Sequence, residues 1–181
     1  MADKSIKDQL LELSEKVVDL SEEMETAESA NKDRTYASLA KELRMIGDEV
    51  LAIQELAKND DLAYSQFIMG SICALLGYWS QAEEEYRKAL KHWPDHIGIL
   101  NELFDALVQQ KKYQDAKEII ELSIKYGGET PIIMQNYAAI MVHLHQLDQA
   151  KIIMMNCIAK FPDDLESKQF LHQLEHPGIT E

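Results

Sequence analysis

Apolar residues at the start of the chain stand at Ile6, Leu10, Leu13, Val17, Leu20, Met24 and Ala27, a spacing that alternates four and three. Such a heptad seam predicts a helix whose apolar stripe seeks a partner helix. A second seam, Tyr36, Leu39, Leu43, Ile46, Val50 and Ile53, comes after the polar break Ser29-Ala30-Asn31-Lys32-Asp33, short enough for an antiparallel return. Each stripe is narrower than the face a globular helix usually buries. The two helices can satisfy one another, pack on the first repeat, or pair with a second chain as a homodimer. The intramolecular hairpin over residues 1–60 is the favoured arrangement.

Beyond residue 60 the heptads give way to a longer period. Ala82, Ala116 and Ala150 recur every 34 residues, and Pro94, Gly128 and Pro162 keep the same spacing. Self-similarity at that period marks stacked supersecondary units. Between the markers lie Gly77-Tyr78-Trp79, Lys111-Lys112-Tyr113 and His145-Gln146-Leu147, each a polar or glycine-bearing turn followed by a bulky apolar residue. Each unit is therefore predicted to be a helical hairpin. Small residues at Gly70, Ala82 and Ala89 allow the paired helices to approach closely. Local signals agree: Ser80-Gln81-Ala82-Glu83 has the form of a capping box. Thr130-Pro131 offers an N-cap with proline at the first helical position, and Gly127-Gly128 a left-handed stop. After Pro162, Asp163 and Asp164 can cap a last helix through about Glu175. Its Leu165, Phe170, Leu171 and Leu174 are apolar and its Glu166, Lys168 and Gln169 polar, as the end of a stacked array requires.

The run from Leu76 to Leu90, followed by Pro94, resembles the second half of a tetratricopeptide repeat. With repeats starting at Ala63, Ile97 and Pro131, the first matches that family at Gly70, Ala82, Tyr86, Ala89 and Pro94. The second departs from it with Phe104, Ile120, Ser123 and Gly128, keeping the period and Ala116. The third returns with Ala138, Ala150, Met154, Cys157 and Pro162. The resemblance covers about 55% of the chain, from Ala63 to Pro162. It implies an all-α fold: the heptad-patterned hairpin over 1–60, a three-repeat α-solenoid over 61–162, and a capping helix and tail over 163–181.

Charge narrows the function. The 32 acidic residues outnumber the 18 basic ones for a net charge of -14, which opposes the phosphate attraction behind nucleic-acid binding and repels anionic membranes. Two uncharged stretches, 63–82 and 130–147, reach the length of a membrane span. The first holds Ser65, Gln66, Ser71, Ser80 and Gln81, and the second Gln135, Asn136, His143, His145 and Gln146, too much polarity for hydrocarbon. No membrane insertion is expected. The charged start after Met1 lacks a signal-peptide pattern, and Cys73 and Cys157 lack metal or disulfide spacing. A cytoplasmic setting is therefore the expectation.

Catalytic chemistry finds little support. His172 and His176 stand at i and i+4, a spacing open to metal ligation, but no HExxH accompanies them and a surface pair is the simpler reading. His143 and His145 fall on different helix faces, and His92 and His96 flank Pro94. The two cysteines fall where repeats face inward, as small hydrophobes. Phosphate-cradling glycine motifs and nucleophile elbows are missing from the sequence. No enzyme, no cofactor and no metal are expected.

The resemblance implies a concave surface lined by the first helix of each repeat, where extended peptides or helices bind. The corresponding positions are Tyr64, Phe67, Ser71 and Ala74, then Gly98, Asn101, Asp105 and Val108, then Ile132, Gln135, Ala139 and Val142. One of these is charged, where a chain that is 28% charged would place about three, so an apolar or mixed protein partner is expected. Tyr64, Phe67 and Ile132 are alternatively open to burial under the hairpin or the last helix. The lysine, arginine and asparagine clamp by which family members hold the terminal carboxylate of heat-shock chaperones is missing: Phe67 and Ile132 replace lysines and Glu102 an asparagine. Acidic charge, repeat number and terminal helices are similar to the type III secretion chaperones, although the hairpin is longer than theirs. A general scaffold, and a small-molecule or metal-binding regulator, are the competing readings.

Overall fold

The computed structural model describes residues 4–29 and 33–176. The break at residues 30–32 and the tail from Pro177 lie outside the described residues. Within them the chain is all α, with α1 (Ile6–Ser29), α2 (Asp33–Gln54), α3 (Asp60–Leu75), α4 (Trp79–Leu90), α5 (Ile97–Gln109), α6 (Tyr113–Gly127), α7 (Pro131–His143), α8 (Leu147–Lys160) and α9 (Leu165–Glu175). Two compact units divide it, Met1–Ala106 and Leu107–Glu181. The boundary falls inside α5.

In the first unit both heptad seams are buried except at their ends, where Ile6 and Ile53 are half-buried and Tyr36 is exposed. Leu10, Leu13, Val17, Leu20, Met24 and Ala27 of α1 share one core with Leu39, Leu43, Ile46 and Val50 of α2. That core also takes Ile68, Met69 and Ile72 of α3, and both hairpin helices touch α3. The hairpin thus closes on itself and on the first repeat helix together. Gly47 of α2 faces this contact, with Ile72 and Met69 at 3.8 Å from the point a Cβ would occupy, an ordinary packing distance.

The α3–α4 pair shows why the repeat needs small residues. A Cβ on Gly70 would lie 2.5 Å from Cε1 and 2.6 Å from Cδ1 of Tyr86, and Tyr86, Ala82 and Ala89 are fully buried. Removing every side-chain atom at residue 70 lets the Tyr86 ring close against α3.

The period of 34 is written in the backbone as well. Gly77, Lys111 and His145 all have positive φ, at 76°, 59° and 59°. The turns share one hydrogen-bond pattern. Gly77 N–H donates to Ala74 O and Tyr78 N–H to Cys73 O, Lys111 to Val108 and Lys112 to Leu107, His145 to Val142 and Gln146 to Met141, all between 2.8 and 3.0 Å. This is a Schellman stop, in which the left-handed residue satisfies the last carbonyls of a helix. Only the first copy uses glycine, for which that conformation carries no steric cost.

The expected capping box at Ser80-Gln81-Ala82-Glu83 does not form. The helix α4 already starts at Trp79, its N-cap Tyr78 makes no side-chain cap, and Glu83 lies within the helix, paired with Arg87 at 2.9 Å. The Schellman turn delivers the chain directly into the helix, and Ala82 N–H closes on Tyr78 O at 3.0 Å. The start is fixed by the turn.

In the second unit the expected caps are present. Thr130 accepts from Ile133 N–H with Pro131 at the first position of α7, Gly128 leaves α6 at φ 81°, and Asp164 accepts from Ser167 N–H at the head of α9. One core joins Met134, Ala138 and Met141 of α7, Ala150, Met154 and Cys157 of α8, and Leu174 of α9. Phe170 and Leu171 pack against it. No described helix is long and apolar enough to cross a membrane.

Candidate functional site

On α3, Tyr64 and Phe67 are half-buried and stack with ring centroids 6.5 Å apart. Phe67 also meets Tyr86 at 6.2 Å and His96 at 6.4 Å. His96 in turn stacks on Trp93 at 5.7 Å. Tyr64, Phe67, Trp93 and His96 line an open depression of about 700 Å³, completed by Asp95, Ile97 and Gly98. Trp93 is held by its indole N–H, which donates to Asp60 at the start of α3 over 3.1 Å. His96 is held by its Nδ1, which accepts from Ile99 N–H and so caps α5. Two ends of the first repeat, the head of α3 and the loop into α5, therefore fix the aromatic wall. A Cβ on Gly98 would approach the His96 ring to 3.2 Å, so glycine leaves this mouth open.

The wall continues along α5 with acidic groups. Tyr86 donates to Glu102 across 3.4 Å, and Asp105 lies one turn farther on. Both carboxyls are exposed, yet the surrounding protein strips part of their hydration and holds them above the ordinary carboxylate range. For Glu102 the Asp105 charge adds to that loss, and the Tyr86 hydrogen bond partly offsets it. Desolvation raises the Tyr86 phenol, and the Ser71 hydroxyl opposes that rise. Ser71 also donates to the Phe67 carbonyl at 3.2 Å.

Of the sequence-derived groove positions, Tyr64, Phe67 and Gly98 line the depression. Ser71 sits behind Tyr86. Ala74 is half-buried, and Asn101 and Asp105 are exposed along α5. The second unit carries Val108, Ile132, Gln135, Ala139 and Val142. Ile132 is 67% exposed and Val142 partly so, while Val108 and Ala139 are half-buried. Gln135 is engaged internally, donating to Asp164 and to Ser167, each at 3.0 Å. Trp93, His96 and Ile97 were not among the sequence-derived positions. Their signal was the aromatic-rich turn Trp93-Pro94-Asp95-His96, read there as a repeat boundary.

Chemistry elsewhere is sparse. Cys157 is buried with its sulfur 3.2 Å from the Ser167 hydroxyl, and burial pushes the half-buried Cys73 thiol up, against nucleophilic use. His143 stacks flat on Tyr113 at 4.2 Å. The His172 and His176 rings lie 4.7 Å apart, tilted, and among the described residues no group of three or more His, Cys, Asp or Glu is arranged to hold a metal.

No family model matches the sequence, and no curated protein matches it. Solved structures do. MamA from Desulfovibrio magneticus is 17% identical, with a TM-score of 0.64 over 87% of this chain and 84% of that one. TTC0263, a thermophilic TPR protein of Thermus thermophilus, is 13% identical with a TM-score of 0.56 over 94% and 99%. The first TPR domain of RPAP3, bound to the HSP90 peptide SRMEEVD, is 18% identical with a TM-score of 0.55 over 62% and 90%. The chain has the tetratricopeptide-repeat fold. In that fold the three Schellman turns mark the junctions between paired helices, and α1 and α2 stand before the repeats as a longer hairpin packed on α3.

Proposed function

We propose that the chain is a non-enzymatic adaptor that captures a peptide or helix of another protein on the face made by α3 and the start of α5. The observation that carries this reading is the depression lined by half-buried Tyr64 and Phe67 and by Trp93, His96 and Ile97. Rigid aromatic groups in a concave, partly desolvated setting are what protein-binding hot spots use. Ser71, Ala74, Asn101 and Asp105 extend the face in the first unit. Val108, Ile132, Gln135, Ala139 and Val142 are its proposed counterparts in the second, with Gln135 already committed to α9. The RPAP3 domain holds the HSP90 peptide SRMEEVD. Here Glu102 and Asp105 would repel so acidic a tail, so the captured segment is of another kind. Homodimerisation through the N-terminal helices would have to use faces other than the seams, which are buried within the chain.

The test is selection of binders from a random-peptide display library on the full chain, followed by titration of the selected peptides. Asn101→Trp fills the face without touching the core and Phe67→Glu charges its aromatic wall; both are expected to abolish binding while helical content stays the same. Peptides that bind the Asn101→Trp chain as tightly as wild type would contradict the assignment.

A further inference from the structure

We infer that the aromatic depression recognises a cationic side chain, an arginine or lysine presented by the partner segment; this rests on the peptide-capture reading above. The depression is lined by the rings of Tyr64, Phe67 and Trp93 together with the Asp95 carboxylate. A guanidinium or ammonium over such rings is attracted by their electron-rich faces, more so when water is partly excluded. The adjoining turns of α5 add charge of the right sign. Glu102 is joined to this wall through the Tyr86 hydroxyl, Tyr86 packs on Phe67, and Asp105 comes one turn along α5. A cation seated against Phe67 shares the depression with the Asp95 carboxylate, and Glu102 and Asp105 on the adjoining α5 add a favourable field that partial exclusion of water strengthens. Around the site the chain as a whole carries a net charge of -14, which speeds the approach of a basic segment. The other polar partner at this wall, Asp60, is spent on the Trp93 indole. It keeps the ring in place at the edge of the depression.

Arginine and its neutral isostere citrulline separate this idea from general apolar capture. The isotopically labelled full chain is titrated with Nα-acetyl-arginine methylamide, with the citrulline analogue and with the glutamate analogue, following the Trp93 indole N–H and the Gly98 amide. The arginine probe is expected to shift both resonances saturably. Citrulline should bind about tenfold more weakly, the scale of a partly desolvated cation contact, and glutamate should leave the resonances unmoved. Added salt should erode the preference, and in the Glu102→Gln/Asp105→Asn double variant arginine should fall toward the citrulline level. Both substitutions are at exposed positions, and unchanged circular dichroism certifies the fold. Citrulline equal to arginine, an arginine response confined to other resonances, no response at the limit of solubility, or an unaltered preference in the double variant would each overturn the inference. Library peptides that lack basic residues yet lose binding on Asn101→Trp would overturn it while leaving peptide capture standing.

Discussion

Substitution of Gly70 by alanine examines the packing that holds the aromatic wall in place. The new methyl group would sit 2.5 Å from Cε1 and 2.6 Å from Cδ1 of Tyr86, about 1 Å inside the distance at which carbon atoms attract. Tyr86 is fully buried and is also held against Phe67 and Glu102, so the ring cannot swing into solvent. The adjustment must come from α3 and α4 moving apart. Overpacking of this kind costs about 1–3 kcal/mol, and alanine in a helix interior returns about 0.5–1 kcal/mol over glycine, leaving a net loss of about 1–2 kcal/mol. For a chain of this size that lowers Tm by about 2–8 °C. Thermal and urea unfolding followed by circular dichroism measure it. The decisive control is the same substitution in a Tyr86→Leu background, where the ring is gone and Gly70→Ala should become neutral or stabilising. A Gly70→Ala chain as stable as wild type, or an equal loss in both backgrounds, would refute the reasoning.

Backbone and charges set three further outcomes. Lys111→Gly and His145→Gly should each stabilise the chain by about 0.5–1 kcal/mol, because a left-handed conformation costs a residue with a Cβ about 1–2 kcal/mol and the greater freedom of unfolded glycine returns only part of that; urea midpoints that stay level or fall would contradict it. Thr130→Ala should cost about 1 kcal/mol through the lost cap on Ile133 N–H, read from the same curves. Glu102 and Asp105 have raised folded-state pKa values, so their charging cost is full above those values and is relieved as pH falls toward the unfolded ones. The Glu102→Gln/Asp105→Asn chain should therefore exceed wild type in stability at neutral pH by a margin that shrinks on acidification through the raised carboxylate range. A margin independent of pH would show that the two carboxyls are not strained by their surroundings.

Much of the fold was legible because it rests on apolar spacing. The heptads of α1 and α2 had to be buried somewhere, and pattern alone allowed three partners; that Ile68, Met69 and Ile72 of α3 join their core is a tertiary fact. Ala82, Ala116 and Ala150 marked the repeat correctly, and all three are fully buried. The turn geometry was less readable. Lysine and histidine at 111 and 145 carry no glycine signal, and only their distance of one period from Gly77 betrays the shared left-handed turn. The Ser80 to Glu83 box failed for the opposite reason: a local motif was present, but the preceding turn had already started the helix. At the site, Tyr64, Phe67 and Gly98 followed from the repeat frame. Trp93 and His96 did not, because they sit in the loop between frames and are oriented by Asp60 and Ile99 N–H, contacts that arise only once the repeat has folded.

Docking of another polypeptide on the α3 and α5 face of the first unit is open to shift mapping of the labelled full chain saturated with a library-selected peptide. The large perturbations are expected at Tyr64, Phe67, Trp93, Gly98 and Asn101. Perturbations gathered instead on the exposed Ile152 and Met155 side of α8, with those five unmoved, would contradict it.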